Sequence, residues 1–324
     1  MQTNISHLKQ IESCHILRIF GYYFILLWII GTVLNGTLLY TLIRNSKLRQ
    51  LSTNILIGGL LLSDFIGACF EIPFPALSLI HCRWIFTYTG CVFEAIISYF
   101  VGCSNMYILC LISIDRYSIM TRPFQPPSNI IQRTYISIGC IYILSLFWTI
   151  MPLLGWSSYD YEGLGLSCSI QWTERSLNVI SYNITVLIFI YFIPVMIILI
   201  TNIRNHRRSF TLKVNQSFVQ RRLLIERRVL HTISLVIGFL IAWTPYAILV
   251  LIRAFFDANH IPRIMDTIPA LFAKTSFIWN PLIFIVRNGN FRHYIPFILN
   301  KHRSKSNKDA KRLQFCVYQH SMVK

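Results

Sequence analysis

Seven stretches of this chain are each long and apolar enough to cross a lipid bilayer as a helix, and no other feature constrains its fold as tightly. About 20 predominantly apolar residues span a bilayer core. The stretches run near Leu17–Ile43, Asn54–Ile80, Gly90–Ile119, Tyr135–Leu154, Ile184–Ile203, Val229–Arg253 and Met265–Val286. Only 13% of the 324 residues are charged, about half the share usual in a soluble domain. That excludes a string of soluble domains, a disordered chain, a collagen-like repeat and a small disulfide scaffold. Period-2 alternation in ten-residue blocks, the mark of a membrane barrel, is absent. The expected fold is an all-α membrane protein, a seven-transmembrane-helix bundle over 17–299, flanked by an extracellular tail over 1–16 and a basic cytoplasmic tail over 300–324.

Charge sets the orientation. Alternate loops 44–53, 118–134 and 204–228, with the tail from Arg287, hold 22 of the thirty Lys and Arg residues. The positive-inside rule then places the N-terminus outside and the C-terminus in the cytoplasm, with the chain as a multi-pass protein of the cell membrane. The net charge of +18 is thereby explained without nucleic acid. Segments such as Arg221-Arg222 and Lys308…Lys311-Arg312 suit anionic membrane lipids. No cleavable signal peptide is evident, because the first sixteen residues are polar and the apolar run after them is too long for one. Asn4-Ile5-Ser6 is an extracellular glycosylation acceptor. Similar triplets at Asn35, Asn183 and Asn215 fall within, beside or on the wrong side of the bilayer.

Ionisable groups inside a span are expensive and functional by default. Here they are Asp64, Glu71, Glu94 and Lys274, with Asp115-Arg116 near the inner end of the third span. Lys274 sits in Phe272-Ala273-Lys274-Thr275-Ser276, where nothing local pairs with it. Such an amine must find a carboxylate, become neutral, or be consumed chemically, as in a Schiff base with a carbonyl ligand. An internal salt bridge and a covalent ligand are equally open on this observation alone. Asp64 and Glu71 share a helix face, with Glu71 ~10 Å further out, and Glu94 lies ~31 Å of helical rise outward from Asp115. Lys274, Glu71 and Glu94 are therefore at compatible depths in the outer half. Cys91 and Cys168 face an oxidising compartment, so a bridge between them is expected. A second bridge between Cys14 and Cys82 is left open. No cysteine or histidine spacing reads as a metal site.

These residues bring a family into view. The chain resembles the rhodopsin-like G-protein-coupled receptors and, within them, the opsins. Asn35, Leu62-Ser63-Asp64, Asp115-Arg116-Tyr117, Ala242-Trp243-Thr244-Pro245-Tyr246 and Asn280-Pro281-Leu282-Ile283-Phe284 resemble the receptor signatures. Ile268-Pro269-Ala270-Leu271-Phe272-Ala273-Lys274-Thr275-Ser276 is similar to the opsin segment whose lysine binds retinal. Gly155-Trp156 through Gly163, with Ser167-Cys168, resembles the opsin second extracellular loop. The resemblance implies that Lys274 carries retinal (11-cis or all-trans) as a protonated Schiff base. The counterion candidates are Glu94, which is favoured, then Glu162, then Glu71. Two or three nearby carboxylates share their titration, and at least one stays protonated. Gly102, Phe239, Trp243, Tyr246 and Ala270 match the residues lining the retinal pocket. Light-driven isomerisation would push on Trp243 and move the sixth helix about Pro245.

The implied partners are a heterotrimeric G protein, met by Arg116 and loop 204–228, and arrestin. Glu226 lies one residue off the position of an acid that often holds that arginine. Three residues depart from the pattern. Phe284 and Asn202 stand where hydroxyl-bearing tyrosines are usual, and Tyr142 replaces a tryptophan as a change of packing only. An amphipathic eighth helix is expected to about Leu299. The favoured function is a non-enzymatic light-sensing receptor driving G-protein activation. The alternative is a retinal photoisomerase opsin that regenerates 11-cis-retinal.

Overall fold

The computed structural model describes residues 2–121, 127–211, 216–255, 262 and 264–287. Seven helices in this portion are long and apolar enough to span a membrane: Cys14–Arg44, Ser52–His81, Tyr88–Ile119, Asn129–Leu154, Leu177–Asn205, Ile233–Arg253 and Met265–Val286. They match the expected stretches to within a few residues, except at the starts of the fourth, fifth and sixth spans. The expected eighth helix lies outside the described residues, as do the side chains of Asn4 and Glu226.

The first span belongs to α1 (Gln2–Arg44), the third to α4 (Tyr88–Thr121), the fourth to α5 (Pro127–Ile150) and the sixth to α8 (Gln216–Phe255). The other three are interrupted, the second and fifth beside a proline that cannot donate a helical hydrogen bond. The second divides into α2 (Ser52–Phe70) and α3 (Pro73–His81). At the break, Ile72 N–H reaches back five residues to the Gly67 carbonyl at 3.2 Å. The fifth runs from α6 (Leu177–Val186) through a π-helical turn, Leu187–Phe192, into α7 (Ile193–Thr211). Pro194 has no N–H for the Ile190 carbonyl, and the turn before it widens. The seventh divides at Thr275 into α9 (Ile264–Lys274) and α10 (Ser276–Arg287), with Pro269 and Pro281 inside the two halves. Thr275 Oγ1 donates to the Phe272 carbonyl at 2.7 Å, a local bond that competes with continuous helix.

The second and third spans are the most buried and form the axis of the bundle. Leu56, Leu60, Ile108, Leu235 and Phe284 fill the inner half, while Phe24, Ile72, Leu79 and Phe277 fill part of the outer half. Large apolar residues such as Ile29, Val33, Ile143, Ile200 and Ile241 are exposed around the rim, as a surface facing hydrocarbon requires. Outside the bundle, β1 (Tyr159–Glu162) and β2 (Ser167–Ile170) form an antiparallel hairpin packed on α4. Gly163 and Gly165 hold its turn with positive φ, a conformation that only glycine adopts freely.

Two disulfides fix the outer face. Cys91 at the start of α4 is bonded to Cys168 on β2, as expected, with Cα atoms 5.4 Å apart. The bridge left open in the sequence is also formed, joining Cys14 on α1 to Cys82 just beyond α3.

Candidate functional site

Lys274 is the last residue of α9, where the seventh span is interrupted, and Glu71 lies at the interruption of the second. Breaks in two facing helices thus bring a lysine and a glutamate together deep in the bundle. Lys274 Nζ donates to Glu71 Oε1 at 2.6 Å and to Glu94 Oε1 at 2.8 Å. Ser98 Oγ, one turn below Glu94, lies at 3.5 Å. The lysine side chain is 5% exposed and the glutamates 1% and 0%, so none of these charges is hydrated in bulk. A buried ammonium survives only if it is paired and hydrogen-bonded, and here both conditions hold. Glu71 was the carboxylate least favoured from sequence, yet its oxygen is the one nearest to Nζ.

The second oxygen of Glu94 is held from the side of the hairpin. Cys168 N–H donates to Glu94 Oε2 at 2.6 Å, so the disulfide-tied strand β2 braces the carboxylate. Glu162, at the end of β1, takes a different place. Its Oε1 accepts from Tyr246 OH at 2.8 Å, and that hydroxyl accepts in turn from Trp172 Nε1 at 2.8 Å. Burial pushes the Glu162 carboxyl above its ordinary value, while the Tyr246 hydrogen bond and the charge on Lys274 pull it back.

A cavity with about 900 Å³ of unfilled space, part of it open to solvent, runs between Lys274 and the fifth and sixth spans. Gly102, Phe239, Trp243, Tyr246 and Ala270 all line it, together with Lys274 and Glu162. Glu94 and Glu71 stand behind the lysine. Phe239 and Trp243 are stacked, with centroids 5.6 Å apart and ring planes 20° apart. A Cβ on Gly102 would come within 2.8 Å of the Trp243 ring, so the absence of a side chain lets the indole lie against α4. Trp243 Nε1 donates to Ser276 Oγ at 3.2 Å, linking α8 to α10. The shape is an apolar slot with one amine among the described residues of its wall, suited to a flat, elongated apolar molecule.

Several wall residues escaped the sequence reading. Ser98 follows Glu94 by four residues, a spacing that places it on the same helix face. Trp172 follows Cys168 closely enough to be carried over the cavity. Ile190 and Tyr191 face the cavity from the π-helical turn, whose geometry carries no sequence signature beyond Pro194.

The receptor signatures lie further in. Asp64 accepts from Asn105 Nδ2 at 2.7 Å and Asn280 Nδ2 at 2.9 Å, tying α2, α4 and α10. Asn35 Nδ2 donates to the Gly31 and Phe277 carbonyls, each at 2.9 Å. Asp115 accepts from Ser52 and Thr53 at the inner end of α2, with Arg116 and Tyr117 half-buried beside it. Pro281 and Phe284 are buried in α10. Asn202 spends its amide on the Ile198 carbonyl at 2.9 Å and lies 3.5 Å from Ser113 Oγ. Tyr142 is more than a packing substitute, because its hydroxyl donates to the Gly59 carbonyl at 2.8 Å and so ties the fourth span to the second.

Residues 34–284 match the family model described as "7 transmembrane receptor (rhodopsin family)". The chain is 30% identical over 278 residues to the human visual pigment-like receptor peropsin, covering 83% of this chain and 81% of that one. The chain belongs to the opsins of the rhodopsin family. It is also 29% identical over 290 residues to a compound eye opsin of Hemigrapsus sanguineus, covering 84% of this chain and 76% of the relative. The crystal structure of squid rhodopsin superposes with a TM-score of 0.78 at 26% identity, covering 92% of this opsin and 86% of the squid chain. The multi-pass membrane architecture follows directly.

Proposed function

We propose that this opsin is a light-sensing receptor that holds retinal through a covalent imine to Lys274 and signals to a heterotrimeric G protein from its cytoplasmic face. The observation that carries the reading is the placement of Lys274: a buried amine at the wall of an aromatic slot, with carboxylates already in contact with its nitrogen. The slot fits the group, since its walls are apolar and its one reactive amine lies where an aldehyde can be reached. Retinal supplies visible absorption and a light-driven change of shape.

The protein's own residues do the rest. Glu94 and Glu71 balance the positive charge on the nitrogen. Phe239, Trp243 and Tyr246 hold the chain flat, and the hairpin shields the site from water. Trp243 is bonded to Ser276, so displacement of the indole is felt in α8 and α10 together. Pro245, two residues on, interrupts the hydrogen-bond ladder where α8 can bend. The intact Asp115-Arg116-Tyr117 and Asn280-Pro281 support coupling to a G protein.

One specific observation favours a second reading, that of a retinal photoisomerase delivering the 11-cis isomer. Phe284 and Asn202 leave the inner half without two tyrosine hydroxyls that the receptor pattern uses, and the match to peropsin covers 81% of that relative. The deciding experiment is an absorption spectrum of purified protein before and after illumination, with 11-cis- and all-trans-retinal supplied separately, followed by acid denaturation and extraction of the isomers. A red-shifted band that survives denaturation and is absent from Lys274→Ala supports covalent attachment. Preferential uptake of 11-cis with a stable all-trans photoproduct supports the receptor. Preferential uptake of all-trans with 11-cis released by light supports the photoisomerase.

A further inference from the structure

A second cavity, with about 400 Å³ of unfilled space, lies between the hairpin and the adjoining ends of the sixth and seventh spans. Its lining differs in character from that of the slot, since Arg253, Asp266, Gln171 and Thr173 take part in it. Arg253 donates through Nε and Nη2 to the two oxygens of Asp266, at 2.9 and 2.6 Å, and so clasps α8 to α9. Tyr161 and Thr173 are exposed at its edge, where the space meets solvent. Charged and amide groups converging on a space of this kind favour water over an apolar occupant.

The two cavities share a wall. Glu162, Ser169, Ile170, Trp172, Tyr246 and Val250 line both, so the partition is one side chain thick. Its polar members form a single hydrogen-bonded chain. Tyr246 OH donates to Glu162 Oε1, while Trp172 Nε1 donates to that hydroxyl at 2.8 Å and to Ser169 Oγ at 3.2 Å. The Trp172 and Tyr246 rings meet edge to face, with centroids 6.1 Å apart. The remaining walls of the slot are membrane-spanning helices, and a polar molecule crossing hydrocarbon to reach them loses its hydrogen bonds. The partition is therefore its least costly way to Lys274.

Resting on the assignment of Lys274 as the retinal lysine, we propose that the second cavity is a hydrolytic port. It holds a small polar nucleophile, water in the native setting, and the Trp172–Tyr246–Glu162 chain gates the passage of that molecule to the imine. The reaction needs no further reagent. Water supplies the carbonyl oxygen, both of its hydrogens end on the nitrogen, and the C=N bond is exchanged for C=O. A free aldehyde and the Lys274 ammonium result.

The test follows bleaching of the full-length pigment in the dark by hydroxylamine, a water-soluble nucleophile that captures the same imine carbon. Trp172→Phe keeps a ring in the partition but removes the donor to Tyr246 and Ser169. Leu249→Trp fills the second cavity from a residue that does not line the slot. Bleaching is expected to quicken about threefold to tenfold in Trp172→Phe, the effect of losing one hydrogen bond's net contribution to the closed gate. It is expected to slow in Leu249→Trp. Tyr191→Phe tests the opposite wall, because it breaks the 3.0 Å bond between Tyr191 and Thr244 that joins the fifth and sixth spans. Quicker bleaching in that variant, with none in Trp172→Phe, overturns the inference.

The ligand-free protein supplies a readout that needs no chromophore. Lys274 is methylated with formaldehyde and a hydride donor, and the yield is read by mass spectrometry against exposed Lys47. The ratio should rise in Trp172→Phe and fall in Leu249→Trp. Equal rates in wild type and both variants, in either assay, overturn the port. A wild-type protein with no visible band for either isomer overturns the retinal assignment instead, and the methylation ratio keeps the two failures apart.

Discussion

At the scale of single residues, Tyr246 links two hydrogen bonds in the outer site. Its hydroxyl accepts from Trp172 and donates to Glu162, so Tyr246→Phe takes the donor from Glu162 Oε1, while Trp172 Nε1 keeps Ser169 Oγ at 3.2 Å. A stranded buried group costs about 1–3 kcal/mol, which thermal unfolding of the purified protein will show as a lower melting temperature. The deficit should depend on pH. Burial already holds the Glu162 carboxyl above its ordinary value of 4.5, and the tyrosine hydrogen bond opposes that rise. Without it the carboxyl moves further up, and the folded state binds its proton more strongly than the unfolded state does. Stability is then lost as pH rises above the unfolded value. Tyr246→Phe should therefore be further below wild type at neutral than at mildly acid pH, and an equal deficit at both would count against this account. Gly102→Ala makes a steric prediction. A new Cβ within 2.8 Å of the Trp243 ring forces the indole into the cavity, and overpacking of that kind costs about 1–3 kcal/mol. Pigment yield per folded protein should fall. The sequence exposed the functional residues unevenly. Lys274, Glu94 and the aromatic wall were legible because charge in a span and opsin-like spacing single them out. The primacy of Glu71 over Glu162 at Lys274 was not, because it depends on how two helix breaks face one another across the bundle.

Elements were legible to the extent that hydropathy alone determines them. Seven apolar runs became seven spans because a bilayer leaves a backbone no other way to satisfy its hydrogen bonds. Interruptions inside the spans were harder to see. Pro73 and Pro75 announce a disturbance near Glu71, but the reach of Ile72 N–H to Gly67 is settled by packing against α1 and α4. The tie from Tyr142 to Gly59 was hidden for a related reason, since its acceptor is a backbone carbonyl on another helix. Tyr142→Phe should cost about 0.5–1.5 kcal/mol, the usual net worth of one such bond, measurable as a modest fall in melting temperature. The bridge from Cys14 to Cys82 closes 68 residues of chain. Replacing both cysteines by serine should lower stability by about 2–4 kcal/mol while the visible band remains, because neither residue touches the cavity. Loss of the band with retention of the fold would show that the bridge also positions Glu71 through α3.

On the scale of the whole molecule, orientation rests on charge asymmetry. With 22 of thirty basic residues assigned to one face, a tag at the N-terminus should be reached by antibody on intact cells, and one at the C-terminus only after permeabilisation. The reverse pattern would invalidate the assignment of Arg116 and loop 204–228 to the G-protein side. The outer face also joins mechanics to optics. Cys91 stands about one helical turn before Glu94, and the partner it holds, Cys168, places its amide on the far oxygen of that same glutamate. Sulfur bridge, peptide amide and carboxylate thus close a ring at Glu94, whose other oxygen meets the nitrogen of Lys274. In the proposed retinal pigment, opening the bridge would free the amide and alter the charge distribution beside the chromophore, so its hue would become a gauge of a bond lying outside the membrane.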